Sequence, residues 1–132
     1  MQTCPLCAGN TVNETRARKI TYKEHSTIIK QPAAYCDECG EAFLAPNDSK
    51  ATEKAIADFK REVEHLLTSD QIKQIRKKHH ITQKEAAELF GGGINAFSKY
   101  ERGEAIQSKS TDILLRLIDQ QKIHLQDIRA IA

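Results

Sequence analysis

Four cysteines, all within the first 39 residues, place the strongest constraint on how this 132-residue chain can fold. They form two C-x-x-C pairs, with 28 residues between the first pair and the second. Each pair lies in a turn-like context, "CPLCAGN" and "CDECG", where a short turn can aim backbone N–H groups at sulfur. Four thiolates from two such pairs are a donor set that suits tetrahedral zinc. The sequence therefore predicts one zinc ion bound by Cys4, Cys7, Cys36 and Cys39.

Two other interpretations of the cysteines stay open. Two disulfide bonds would use the same residues, although a reducing compartment disfavours them. A thioredoxin-like redox pair would need a strand–helix–strand context, which the surrounding sequence lacks. If all four thiolates bind one zinc ion, no coordination position remains for a catalytic water, so the metal is expected to be structural. Zinc and four thiolates together would make the N-terminal half acidic, which favours a basic partner.

The composition is typical of a soluble protein. Charged residues make up 29% of the chain and apolar residues 39%, as in globular domains. No apolar run approaches the roughly 20 residues that cross a bilayer, and the start "MQTCPLCAGN" lacks the features of a signal peptide. We therefore expect a cytoplasmic protein without a membrane partner. Residues 1–67 carry 9 basic and 10 acidic residues, whereas residues 68–132 carry 11 and 8, which suggests two domains with different partners.

The segment between the cysteine pairs has β-strand patterns. Ile20 and Tyr22 alternate with polar residues, and the run "STIIK" follows a turn near residues 24–26. Pro32 suggests a bulge or a sheet edge. After the second pair, "PNDSK" at residues 46–50 signals a helix start. An apolar helical stripe follows, made of Ile56, Phe59, Val63, Leu66 and Leu67.

The second half of the chain has the outline of a helix-turn-helix. Thr68 with Gln71, and Thr82 with Glu85, have the spacing of capping boxes that open two helices. The second helix runs into three consecutive glycines, and "INAFSKYERG" follows, ending at the C-terminal stop Gly103. Three glycines suit a tight corner and are unfavourable inside a helix. In a helix-turn-helix, the second helix enters the major groove of DNA.

The helix after the glycines has two different faces. At about 100° per residue, four polar side chains share an arc of roughly 100°, whereas Phe97 and Tyr100 point the other way, towards a core. Asn can bond N6 and N7 of adenine and Lys can donate to guanine, so Asn95 and Lys99 are the predicted base contacts. Two simpler interpretations stay open, in which Asn95 caps its helix and Lys99 is a solvated surface residue. The four polar residues are Asn95, Ser98, Lys99 and Arg102.

Five residues are predicted to contact the phosphate backbone. Ser98 and Arg102 suit phosphates better than bases. Gln83 lies at a helix start, where free backbone N–H groups can bind a phosphate beside it. Lys60 and Arg61 lie on the charged face of the helix that follows the second cysteine pair. There they either reach phosphate or are simply solvated.

Apolar residues recur at helical spacing near the C-terminus. One stripe comprises Ile113, Leu114, Leu117 and Ile118, and another comprises Leu125, Ile128 and Ile131. Such helices either complete the core of a small domain or pair with a second copy. Because a two-fold dimer matches a palindromic DNA site, we expect a homodimer through the C-terminal domain, with an internal core as the alternative.

The order "CPLC", "CDECG" and "ITQKEAAELFGGGINAFSKYERG" resembles the MqsA family of antitoxins from bacterial type II toxin–antitoxin systems. The resemblance extends from Cys4 to the C-terminal helices, and the segment around the glycines is its most specific part. It implies that the N-terminal zinc domain binds and neutralises a toxin, a ribonuclease that cleaves mRNA. It also implies that the C-terminal domain dimerises and represses the toxin–antitoxin operon at a palindromic operator.

The resemblance also bears on base recognition. In this family, an Asn and an Arg four residues apart in the recognition helix read the bases. Asn95 matches the first position, but Lys99 occupies the second. Because Lys lacks the bidentate fork of Arg, base preference at that step is expected to differ.

The predicted fold class is α+β. Residues 1–67 are expected to form a small Cys4 zinc ribbon with a short antiparallel sheet and a helix, and residues 68–132 an all-α helix-turn-helix domain of the Cro/XRE type. The leading functional hypothesis is an antitoxin that also represses its own operon, and the alternative is a stand-alone zinc-ribbon transcription regulator without a toxin. An enzyme is not expected, because no nucleophile and base stand out as a pair and the predicted metal site is closed.

Overall fold

The computed structural model describes residues 2–132, which form a four-stranded antiparallel sheet followed by six helices. The strands are β1 (Gln2–Thr3), β2 (Asn10–Tyr22), β3 (His25–Cys36) and β4 (Ala42–Phe43). The helices are α1 (Pro46–Val63), α2 (Ser69–Lys78), α3 (Gln83–Phe90), α4 (Ala96–Arg102), α5 (Lys109–Asp119) and α6 (Leu125–Ile131). The predicted α+β class is confirmed. None of the helices in the described part of the chain has the length and apolar character needed to cross a membrane.

The chain divides into two compact units, and the division falls inside α1. The first unit ends at Ala55 and the second begins at Ile56. Residues 56–67, which were expected to belong to the N-terminal domain, therefore group with the helical unit. Arg61 gives the physical reason, because its buried side chain donates hydrogen bonds to Gln107 and to the carbonyl of Tyr100, both in the second unit.

A long hairpin dominates the first unit. β2 and β3 pair continuously, from Thr11 opposite Cys36 to Tyr22 opposite His25. β1 and β4 are only two residues long and pair at the cysteine end of this hairpin. Most of the ribbon is therefore two strands wide, with further strands only beside the cysteines.

The hairpin turn consists of Lys23 and Glu24, both with positive φ. Such angles match the right-handed twist of the flanking strands. Pro32 lies in regular register opposite Thr15, so it forms no bulge. β4 pairs only with Ala34 and its neighbour Tyr35, which leaves Pro32 on an outer edge, one of the two positions that its sequence context predicted.

Alternate residues of β3 form the buried face of the hairpin, which meets the beginning of α1. The Gln31 side chain is the polar centre of this contact. It donates to the Asp48 carbonyl at 2.9 Å and accepts a hydrogen bond from the Thr52 hydroxyl at 3.0 Å. Because these buried polar groups are paired, they impose no uncompensated desolvation cost. The buried residues of the strand are Ile29, Gln31, Ala33, Tyr35 and Cys36.

The core of the second unit lies among α2, α3, α4 and α5. Phe97 and Tyr100 of α4 pack edge to face, with ring centroids 5.3 Å apart, and Phe90 of α3 lies 5.8 Å from Phe97. Aromatic pairs at such distances add to the stabilisation from burial. The buried cluster comprises Leu67, Ile72, Ile75, Ile81, Ala86, Ala87, Ala96, Phe97, Tyr100 and Leu115.

Threonine caps fix the starts of α2 and α3. The Thr68 hydroxyl accepts from the Gln71 N–H and the Gln71 side chain accepts from the Thr68 N–H, which confirms the predicted capping box. Thr82 caps α3 by accepting from the Glu85 N–H at 3.1 Å. The Glu85 carboxylate contacts the Thr82 hydroxyl instead of its N–H, so this second cap is not the reciprocal box that the spacing predicted.

Candidate functional site

Two turns of the same construction carry the cysteine pairs. In the first, the Cys4 N–H donates to the Gly9 carbonyl at 2.7 Å, and the Ala8 N–H donates to the Cys4 carbonyl at 2.9 Å. In the second, Cys36 makes the equivalent bonds with Glu41 and Gly40, at 2.9 and 3.1 Å. Ala8 and Gly40 both adopt positive φ, which lets each loop turn back at the same point.

The two turns bring the four sulfur atoms together. All four lie within 4.8 Å of one another. Sulfur atoms from different turns are 3.7 Å apart for Cys4 and Cys39, and 3.4 Å apart for Cys7 and Cys36. A tetrahedral ion with bonds of about 2.3 Å to thiolates requires sulfurs about 3.8 Å apart. All four cysteines are free, and their arrangement fits one metal ion with no position left over.

The environment also prepares one sulfur to bind as a thiolate. The Cys39 N–H, 3.5 Å from the Cys36 sulfur, is the largest of several influences that lower the pKa of Cys36 to about 6. The Gly9 backbone lowers the pKa of Cys7, but the other sulfurs and burial outweigh it and raise that pKa to about 12. Because sulfurs crowded into one site cannot all ionise alone, a divalent cation is the natural counter-charge.

α4 has the two faces that the sequence predicted, one buried and one polar. Ala96, Phe97 and Tyr100 are buried, whereas Asn95 and Lys99 are exposed. Ser98 is half-buried and Arg102 is exposed. One side of α4 thus packs into the core, and the polar side is open to solvent.

Asn95 occupies the N-cap position of α4 but its side chain makes no cap hydrogen bond. Its carbonyl accepts from the Lys99 N–H at 3.1 Å, which starts the helix without help from the amide. The interpretation of Asn95 as a side-chain cap is therefore wrong for this structure. Base contact by Asn95 and Lys99 stays a prediction, made from exposed side chains of suitable chemistry.

The residues predicted to contact phosphate differ in their burial and in their partners. Gln83 is the first residue of α3 and is half-buried. The Arg102 guanidinium is exposed and pairs with Glu104 at 2.7 Å. Lys60 is half-buried in the last turn of α1. For these three residues, as for Ser98, phosphate contact stays a prediction.

Arg61 does not fit the phosphate role. Its side chain is fully buried, and it donates to Gln107, Asp58 and the carbonyls of Tyr100 and Ala105, each at 2.9 Å. A guanidinium enclosed by four acceptors cannot reach DNA without breaking them. The predicted phosphate contact by Arg61 is therefore wrong, and its side chain instead holds the C-terminal end of α4 in place from inside the unit.

Two further features position α4: an ion pair that the sequence did not predict, and the C-terminal stop at Gly103 that it did. Arg76 of α2 forms a bidentate ion pair with Glu101, at 2.9 and 2.8 Å. Gly103 ends the helix in a left-handed conformation, and the Glu104 N–H then donates to the Lys99 carbonyl at 2.9 Å, as in a Schellman motif. The glycine was visible as a stop signal, but nothing in the spacing of Arg76 and Glu101 indicated that they meet.

Comparisons with known proteins agree with this arrangement. Residues 1–129 match the MqsA antitoxin family, described as the antitoxin component of a bacterial toxin–antitoxin system. The chain is 36% identical over 129 residues to the antitoxin MqsA of Escherichia coli strain K12, an alignment that covers 96% of this chain and 98% of that protein. On the extent of these matches, the chain belongs to the MqsA family of antitoxins.

Proposed function

We propose that this antitoxin neutralises a cognate mRNA-cleaving toxin through its cysteine-containing unit, and that it represses its own operon by binding a palindromic operator as a homodimer in the cytoplasm. The observation that carries the proposal is the family match, which spans both units of the chain. A match of this extent favours a protein that uses both units over a regulator that acts on DNA alone. Binding is the proposed activity of each unit, with no catalytic step.

Zinc is the proposed metal. Cys4, Cys7, Cys36 and Cys39 would hold it, because four free thiols at these distances suit a tetrahedral ion with sulfur ligands. With every position filled by protein, the ion would join the two cysteine turns and would not take part in chemistry. The first unit needs such a link because fewer than 60 residues bury little apolar surface.

The outer edges of the hairpin are the proposed toxin-binding surface. Among residues 2–132, β1 pairs only with Asn10 and Thr11, and β4 pairs only with Ala34 and Tyr35. Within the described residues, the rest of β2 and β3 carries no further strand on its outer side. An unpaired edge of this length is a template on which another protein can add a strand.

The polar face of α4 is the proposed DNA-binding surface. Asn95 and Lys99 would contact bases in the major groove, and Lys99 would act as a single donor because it lacks the fork of Arg. Gln83, Ser98, Arg102 and Lys60 would contact phosphates. The support for this assignment is the separation of buried from exposed residues on α4, together with an Asn95 amide that makes no cap hydrogen bond.

The C-terminal helices are the proposed site of dimerisation. Leu115 and Ile118 of α5 belong to the interior, but Ile113 on the same helix is exposed. Ile131 of α6 is also exposed. Apolar side chains left outside the core in this region would become buried against a second copy.

The proposal is tested by purifying the tagged full-length protein from its own host and identifying the proteins that co-elute. We expect a small protein in near-stoichiometric amount, encoded beside this gene and toxic when expressed alone. Growth should recover when the two are expressed together. In parallel, footprinting of the DNA upstream of the gene should reveal a protected palindrome.

Toxin neutralisation and operator repression can be refuted independently of each other. A protein that protects the palindrome but never co-elutes with a toxic partner would be a stand-alone regulator. A protein that neutralises a toxin but protects no upstream sequence would be an antitoxin without autorepression.

A further inference from the structure

Ile94 is one of the most exposed apolar residues of the helical unit, with 70% of its surface accessible. Single exposed apolar side chains are common on protein surfaces and need no function. The position of Ile94 sets it apart, because it directly precedes Asn95, the predicted adenine contact. An aliphatic side chain therefore lies at the site where the protein is proposed to meet base edges.

The backbone holds Ile94 at the leading end of the recognition helix. The Ala96 N–H donates to the Gly93 carbonyl at 3.1 Å, so Ile94 and Asn95 are the two central residues of a tight turn. α4 begins immediately afterwards, at Ala96. In helix-turn-helix proteins, the N-terminal residues of the recognition helix contact the base edges. Ile94 thus approaches the groove together with Asn95.

The loop around Ile94 leaves it unobstructed. The preceding residues are three glycines, which have no side chains to flank it. Apart from the chain neighbours, no atom lies within 4 Å of where a Cβ would stand at Gly91 or Gly93, whereas the inner side of Gly92 faces Tyr100 and Ala96. Since Ile94 itself is 70% exposed, its side chain is open to a surface that approaches α4.

Major-groove chemistry determines what an isoleucine can recognise there. The base edges offer hydrogen-bond donors, acceptors and one apolar group, the C5-methyl of thymine. Burying Ile94 against a donor or acceptor would desolvate that group without replacing its hydrogen bond. Contact with a thymine methyl removes apolar surface from water on both sides.

We propose that Ile94 reads the C5-methyl group of a thymine in each operator half-site. This inference rests on the proposed function of α4 and adds a specificity-determining residue to it. Neighbouring Cα atoms are about 3.8 Å apart and base pairs are stacked about 3.4 Å apart. The thymine therefore lies within about two base pairs of the one that Asn95 contacts.

The experiment uses the full-length protein and duplexes containing the sequence that the protein protects upstream of its gene. Each thymine is replaced in turn by deoxyuridine, which removes only the C5-methyl. Binding is measured by fluorescence anisotropy for the wild type, Ile94→Ala and Ile28→Ala. Ile28 is a matched control, because it is 69% exposed but lies in β3 of the other unit.

We expect one deoxyuridine position per half-site to weaken wild-type binding by roughly 3- to 10-fold, in line with the loss of one apolar methyl contact. Ile94→Ala should bind the thymine duplex more weakly by a similar factor. Deoxyuridine at that thymine position should not weaken the binding of Ile94→Ala any further. Ile28→Ala should behave as the wild type does. Binding to a random duplex should be the same for all three proteins.

Three results would overturn the assignment. In the first, deoxyuridine weakens the wild type and Ile94→Ala equally at every position. In the second, Ile94→Ala weakens operator and random duplexes by the same factor, as expected if Ile94 instead contacts a second copy of the chain. In the third, the wild type binds no duplex specifically, which would overturn the DNA-binding proposal as well and is thereby distinguishable from the other two.

Discussion

Arg61 and Arg102 place the same guanidinium group in opposite surroundings within the helical unit. Arg61 is fully buried and donates to four acceptors. Arg102 lies on α4 with 59% of its side chain exposed, and it pairs with Glu104. A buried guanidinium cannot be removed without leaving acceptors unpaired, whereas an exposed one is screened by water. Arg61 is therefore a structural residue, and Arg102 is available to a ligand.

Replacing Arg61 with Met should destabilise the helical unit by about 3–5 kcal/mol, because buried carbonyls of Tyr100 and Ala105 lose their donor and Asp58 loses a counter-ion. Urea unfolding followed by circular dichroism measures the change. The control Lys73→Met, on the exposed side of α2, should stay within about 0.5 kcal/mol of the wild type. A stable Arg61→Met protein with weaker, less salt-dependent DNA binding would instead restore the phosphate role.

Replacing Asn95 with Ala should cost about 1–3 kcal/mol of operator binding and little binding to a random duplex. The reason is that the amide is proposed to bond a base edge, and it supports no cap. Anisotropy titrations on both duplexes measure the two affinities, and thermal unfolding should be almost unchanged. Gln74→Ala, on α2, removes an exposed amide elsewhere and should leave both affinities intact. Equal losses on the two duplexes would make Asn95 a phosphate contact.

Elements were predictable where local chemistry decides them. The alternation around Ile20 indicated a strand, and the Thr68 box marked the start of α2. The end of α1 was not predictable from its apolar stripe. The helix stops at Val63, and His65 adopts positive φ, so Leu66 and Leu67 lie beyond it. Because Leu67 is buried in the core of the second unit, ending α1 at Val63 is favoured over adding another helical turn.

The three glycines between α3 and α4 should differ in their tolerance of a side chain. Gly92 and Gly93 have almost the same positive φ, 96° and 97°. An added Cβ at Gly92 would lie 2.9 Å from the Tyr100 hydroxyl and 3.0 Å from the Ala96 Cβ, whereas the space at Gly93 is open. Only Gly92 therefore combines backbone strain with a steric conflict.

Gly93→Ala should destabilise the unit by about 1–2 kcal/mol through backbone strain alone, and Gly92→Ala by roughly 1–3 kcal/mol more through overpacking against Tyr100. Thermal unfolding of the two proteins side by side gives the difference. The common φ makes each variant the control for the other. Equal destabilisation would mean that Tyr100 moves aside without cost.

At the scale of the whole molecule, the metal should be required for the folding of the hairpin unit and not for that of the helical unit. Removing the proposed zinc with a chelator should unfold the hairpin unit and abolish the proposed toxin binding, while the proposed DNA binding persists. Circular dichroism and separate titrations with toxin and operator distinguish the two effects. Cys36→Ser should reproduce the chelated state without added reagent. A chelated protein that still binds its toxin would contradict a structural role for the metal.

The metal site was predictable because two C-x-x-C pairs leave few alternatives, and the sulfur atoms do converge. The exposed face of α4 followed from helical periodicity alone. The network beneath that face did not, because Arg61 and Gln107 are 46 residues apart in sequence and meet only in the folded unit. Sequence patterns readily identify the residues that can contact a ligand. They do not readily identify the residues that hold those contact residues in position.

The position of the division inside α1 limits how this protein can be rearranged during evolution. A recombination event in the loop before α2 would transfer a helix-turn-helix without Arg61, and the carbonyls of Tyr100 and Ala105 would lose their donor. A viable gene fusion must therefore carry the second half of α1 with the helical unit. Descendants that exchange their hairpin unit for another should keep a helix that ends in this arginine.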